Sequence, residues 1–168
     1  MKKILFIAVI LSCFFILHEK SNAQEKETVV GNMLITRHGG IAFKFTTNTL
    51  VQHGQLVAAD TGTGYVKLAD STNVMGVAFL LRNSNKDSAV TGTSIWVVVS
   101  GTAETRILTN DSDNANKYAI VSATAGIADI RAYHIDFTTN KLQAWAVYRR
   151  GYQRNNGYWY NRLKLGFK

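Results

Sequence analysis

Three features of this 168-residue chain predict an all-β fold, a small barrel or sandwich of short antiparallel strands ending in a C-terminal hairpin. Short apolar runs alternate with glycine, asparagine, aspartate and serine clusters from Gly54 onward. No stretch after residue 30 carries the stripe of an amphipathic helix. One unit, strand–turn–strand, is written twice: "GQLVAADTGTGYVKLAD" from Gly54 and "NKYAIVSATAGIADIRA" from Asn116. At an offset of 62 residues Leu56 and Val57 meet Tyr118 and Ala119, Gly64 meets Gly126, and Val66 and Leu68 meet Ala128 and Ile130. Either β-hairpins look alike, or two copies of one hairpin pack across a small barrel.

The elements follow in order. Met1 to Gln24 has the layout of a secretory signal: Lys2 and Lys3, an apolar run from Ile4 to Leu17 broken only by Ser12, and a small residue, Ala23, at the expected cleavage point. The run is shorter than the roughly 20 residues of a membrane-spanning helix, so no transmembrane span is expected. A lipoprotein signal with Cys13 as acceptor is the alternative. Cys13 is the only cysteine, so removal of residues 1–23 leaves no disulfide, thiolate nucleophile or cysteine metal site. "QEKETVVGN" reads as a polar, exposed arm. Ala42 to Thr47 alternates as a half-buried strand, after a turn at Gly39-Gly40. "QLVAA", "YVKLA" and "VMGVAFLL" are strands, and "RNSNKDSAVTGT" is a polar loop. "SIWVVVSG" is the strongest strand, apolar enough to be buried on both faces, and "TAETRILT" is a further strand. After the loop "NDSDN", "KYAIVSA" and "IADIRAYHIDF" flank a turn at Gly126.

Organisation by charge divides the chain into the signal-like segment 1–23, a β-domain 24–136 and a basic aromatic hairpin 137–168. Without the first 23 residues, sixteen basic residues stand against ten acids. Residues 24–136 hold nine basic and ten acidic residues, whereas 137–168 hold seven basic residues and no acid, so the positive balance belongs to the tail. "NNG", Asn155 to Gly157, is the turn of that hairpin. Strand alternation after it puts Trp159, Leu163, Leu165 and Phe167 on one face and Tyr158, Tyr160, Arg162, Lys164 and Lys168 on the other. Tyr148, Arg149, Arg150, Tyr152, Tyr158, Tyr160, Arg162 and Lys164 are therefore the candidate partner-binding residues. Their mix of rings and cations suits an acidic protein surface or a glycan. It equally suits a sheet edge protected by charge from aggregation. An exported protein seldom meets nucleic acid, which ranks below both.

No cofactor or metal set is found. His38, His53 and His134 lack metal spacing and read as surface histidines. Asp111 and Asp113 lack the further oxygen ligands and the glycine of a calcium loop. Ser100-Gly101 lacks the first glycine of a nucleophile elbow. With no convergent titratable set the chain reads as a non-enzyme. A hydrolase would need one pocket holding at least two of His38, His53, His134 and Asp136.

The run of "GQLVAAD", "GYVKLAD", "NVMGVAF", "VVVSGTAE" and "KYAIVSATAGIA" resembles the capsid cement, head-decoration and head-fibre proteins of tailed bacteriophages over residues 50–132. Gly54, Leu56, Val57, Gly76, Val77, Ala78, Val99, Gly101, Tyr118 and Gly126 fall in that family's order; Gln55 and Lys117 stand where it has aspartate. The resemblance implies a non-enzymatic β-barrel at the virion surface that clips onto a protein lattice, often as a homotrimer. The signal-like N-terminus keeps a second expectation open: a secreted or cell-surface bacterial module that binds glycan or a partner protein.

Overall fold

One long strand organises the molecule. It runs from Ser94 to Ile107 and takes part in both halves of the fold. The computed structural model describes residues 27–70, 74–80, 88–108, 117–132, 142–148 and 150–167. The segment 1–23, the "NDSDN" loop, His134, Asp136, Arg149 and Lys168 lie outside them. Every regular element described is a strand: β1 (Thr28–Val30), β2 (Met33–Ile35), β3 (Ile41–Thr46), β4 (Val51–Gln52), β5 (Leu56–Asp60), β6 (Tyr65–Leu68), β7 (Val74–Phe79), β8 (Ser88–Ala89), β9 (Ser94–Ile107), β10 (Tyr118–Val121), β11 (Ala128–Ala132), β12 (Leu142–Ala146), β13 (Tyr152–Gln153) and β14 (Trp159–Phe167). No helix among the described residues is long and apolar enough to cross a membrane.

The first half of β9 lies between β3 and β7, with Phe43 opposite Val97 and Val77 opposite Val98. Its second half lies against β14, from Leu165 opposite Gly101 to Trp159 opposite Ile107. Sequence reading divides this stretch into two strands, and the structure makes it one. The change of partners falls at Gly101, whose φ is +80° and where a Cβ would come within 2.2 Å of the Gly39 carbonyl oxygen. Only glycine keeps the strand continuous there while the Gly39–Gly40 turn presses on it.

Residues 95–98 are buried on both faces, as the apolar run predicts. Trp96 and Val98 face the larger core with Leu34, Leu56, Val77, Ile130, Leu163 and Leu165. Ile95 and Val97 face a smaller core with Val51, Val57 and Val66. Pairings lead from β9 through β14, β12, β10 and β11 back to β9, but the β10–β12 and β11–β9 links are each a single residue pair. The sheet therefore does not close into a barrel; it is sandwich-like.

Both echoed hairpins form, β5–β6 and β10–β11. They do not face each other across a barrel. The tip of the second sits on the base of the first: Leu56 N–H donates to the Gly126 carbonyl at 2.8 Å, and Gly126 N–H donates to that of Ala69 at 2.7 Å. A Cβ on Gly126 would meet the Leu68 side chain at 2.8 Å, so the turn glycine also serves this close approach. Two further expectations are corrected. The N-terminal arm contributes a strand, since Thr28–Val30 pairs with Met33–Ile35, and the polar loop contributes β8, which pairs with β4.

Candidate functional site

The tail hairpin turns at Asn155–Gly157, where Gly157 N–H donates to the Arg154 carbonyl at 2.9 Å. Its second strand, β14, is not an edge. It is held by β9 on one side and by β12 and β13 on the other. The face that sequence alternation assigns to partners is therefore partly covered. Tyr160 is only 1% exposed, lying beneath Gly54, whose added Cβ would meet the Tyr160 ring at 2.9 Å. This removes Tyr160 from the docking set: the loop at residues 52–55 lies over its end of the strand, anchored by Arg106 N–H donating to the Gly54 carbonyl at 2.7 Å. The opposite face carries a buried polar residue as well, Asn161, whose amide donates to the Tyr148 carbonyl at 3.0 Å.

The remaining candidates divide. Tyr148, Arg150, Tyr158 and Lys164 are exposed, and Tyr152 and Arg162 are half-buried. The rings are covered by cations of the same chain. Arg106 lies 3.4 Å from the Tyr158 ring centre, Arg154 4.9 Å from that of Tyr160, and Arg162 5.1 Å from that of Tyr148. Tyr152 stacks on Tyr160 with centres 6.2 Å apart. These cation–π contacts tie the rings to cations of the same chain on one face each, while Tyr148 and Tyr158 remain exposed.

A buried carboxylate, Glu104, ties the hairpin to the body. It points from β9 toward the tail and is held by three groups. Tyr152 donates its hydroxyl to Oε1, Arg154 donates to Oε2 at 2.7 Å, and His53 Nε2 lies 3.4 Å from Oε2. His53 is 5% exposed, not a surface histidine. Its Nδ1 accepts the Leu80 N–H at 3.1 Å, so the ring proton sits on Nε2 and points at Glu104. Burial pushes the Glu104 carboxyl upward. The His53 and Tyr152 hydrogen bonds and the Arg154 charge outweigh it and hold the group at about 2. Burial first, then Glu104 itself, push the Tyr152 hydroxyl well above the ordinary tyrosine range, so it remains a donor.

Two hollows flank this cluster. The inner one, lined by Glu27, His38, His53, Glu104 and Arg154 among others, has about 10 Å³ of space, room for a single water. Two of the histidines named for a hydrolase, His38 and His53, thus share a pocket. The outer one is an open cleft of about 470 Å³ lined by Arg37, Glu104, Tyr152, Gln153, Arg154, Asn155, Asn156 and Arg162. Among the described residues, no group of three or more His, Cys, Asp and Glu side chains is placed to hold a metal.

Sequence reasoning missed Glu104, Arg154 and Arg37. Glu104 sits within "TAETRILT" as one acid among strand formers, and nothing local marks it as buried. One signal was available: Glu104 is the sole acid between Asp87 and Asp111.

A second exposed feature lies at the other end of the sheet. Val30, Met33 and Phe43 line up across β1, β2 and β3, and Ile35 stands beside Ile41. Their opposite face holds buried Leu34 and Ala42. The outward residues stay open, Val30 at 55% and Phe43 at 40%. Among the described residues β1 ends the sheet, and it carries no charge. The chain matches no protein-family model, no curated protein and no solved structure.

Proposed function

We propose that the protein is a non-enzymatic structural module that docks on protein neighbours, either copies of itself or a lattice, in the manner of a capsid decoration or head-fibre protein at a virion surface. The observation that carries this reading is the apolar outer face of β1–β3. It combines contiguous exposed valine, isoleucine and phenylalanine with an uncharged edge strand, the combination that natural sheets usually block unless a partner covers it. The docking surface thereby moves from the tail hairpin to the N-terminal strands. The Glu104 cluster supports a non-enzymatic role: both carboxylate oxygens and both His53 nitrogens already have partners. The test is solution mass, with Ile35→Lys and Phe43→Glu as face-disrupting variants.

The polar cleft favours a second reading: an exported or cell-surface module that binds glycan. Its lining of amides, a tyrosine and guanidinium groups resembles a saccharide site more than a protein interface.

A further inference from the structure

We infer that the cleft between Arg37 and the tail hairpin is a binding site for an acidic sugar, with the guanidinium groups of Arg37, Arg154 and Arg162 taking its carboxylate and the Gln153 and Asn155 side chains placed to meet its hydroxyls. The inference deepens the glycan reading and is independent of the docking role of the apolar face.

Three guanidinium groups line this cleft against one carboxylate. That carboxylate is occupied. Arg162 stands directly opposite Glu104 across β9 and β14, yet the Glu104 oxygens are taken by Tyr152, Arg154 and His53. Arg162 is left over the Tyr148 ring, and its buried Nε has no hydrogen-bond partner. That Nε is closed to the cleft, so a ligand would meet Arg162 through the part of its guanidinium that lines the cleft. Arg37 donates its Nε to His38 at 3.0 Å, and its side chain lines the cleft. Glu27 lines the inner water-sized hollow, not this cleft. Guanidinium groups match the planar, two-oxygen geometry of a carboxylate.

The rest of the lining points to a sugar over a bare anion. Gln153 and Asn155 are exposed amides at the rim, with Gln153 Nε2 donating to the Gly157 carbonyl at 2.9 Å; Asn156 lines the cleft too, but its amide donates to the Tyr160 hydroxyl at 2.9 Å and accepts the Tyr158 N–H at 3.2 Å. Amides supply both donors and acceptors, which hydroxyl groups require. Nucleic acid is less favoured, because Tyr152, the one ring that lines the cleft, has one face taken by its stack on Tyr160.

The experiment is calorimetric titration of the full chain with a galacturonic acid trisaccharide, the neutral galactose trisaccharide and inorganic phosphate. The acidic trisaccharide should bind saturably, and the neutral one should not. Arg37→Gln and Arg162→Gln should each weaken binding at least about tenfold, as loss of a charge-assisted hydrogen bond does. Arg154 is spared because it holds Glu104. Unchanged circular dichroism of each variant separates lost binding from lost folding, and Lys164→Gln, outside the cleft, should bind as wild type. No saturable binding of the acidic trisaccharide, equal binding of the neutral one, or full affinity in both arginine variants would overturn the assignment. So would phosphate binding as tightly as the acidic sugar, which would mark the cleft as an anion site without sugar recognition. None of these outcomes bears on assembly through β1–β3.

Discussion

Glu104 makes the residue scale quantitative. Its carboxyl is held at about 2 against an ordinary value of 4.5, so the folded state binds its proton more weakly than the unfolded chain. A depressed folded value means stability that is complete above about pH 5 and is lost as pH falls from about 4.5 toward 2, on the order of 3 kcal/mol in all. Acid unfolding followed by tryptophan fluorescence should show this loss in the wild type and a flatter profile in Glu104→Gln. Tyr152→Phe removes one donor to the same carboxylate. It should cost about 1–3 kcal/mol at neutral pH in chemical denaturation and move the acid transition to higher pH. An unchanged acid profile in Tyr152→Phe would show that its hydroxyl is not what holds Glu104 down. None of this network is legible in the sequence. His53 and Glu104 are 51 positions apart, and Glu104 and Arg154 are 50 apart; the pairing of β9 with β14 brings Arg154 to the carboxylate, and the Arg106 N–H to Gly54 carbonyl bond brings the His53 loop to it.

At the scale of elements, local pattern was legible and partnering was not. Strand positions followed apolar runs and turn residues, as in β5, β6 and β7, because those signals are local. The double burial of residues 95–98 was visible for the same reason, since an unbroken apolar run leaves no face for water. The fusion of two expected strands into β9 was not visible. Glycine usually ends a strand, and Gly101 instead carries the strand through a change of partners. Alternation placed Tyr160 correctly on the face opposite Leu163, but could not show that residues 52–55 cover that face. Gly101→Ala tests the role of this position. With φ at +80° and a backbone oxygen 2.2 Å from the new Cβ, it should cost about 3 kcal/mol or more, read as a lowered denaturation midpoint. A midpoint within error of wild type would mean that β9 bends without needing glycine there.

At the scale of the whole molecule, two surfaces carry opposite chemistry. The N-terminal strands present an open apolar face and, among the described residues, the terminal strand of the sheet, while the tail hairpin and Arg37 flank a polar, cationic cleft. The first suits a protein neighbour and the second a small charged ligand, so a module that assembles through one could display the other. Sedimentation velocity of the full chain tests assembly through β1–β3, with Ile35→Lys and Phe43→Glu compared alone and together. The wild type should sediment as a discrete multimer and the double variant as a folded monomer, with unchanged circular dichroism. A monomeric wild type, or a double variant that stays multimeric, would contradict assembly through this face.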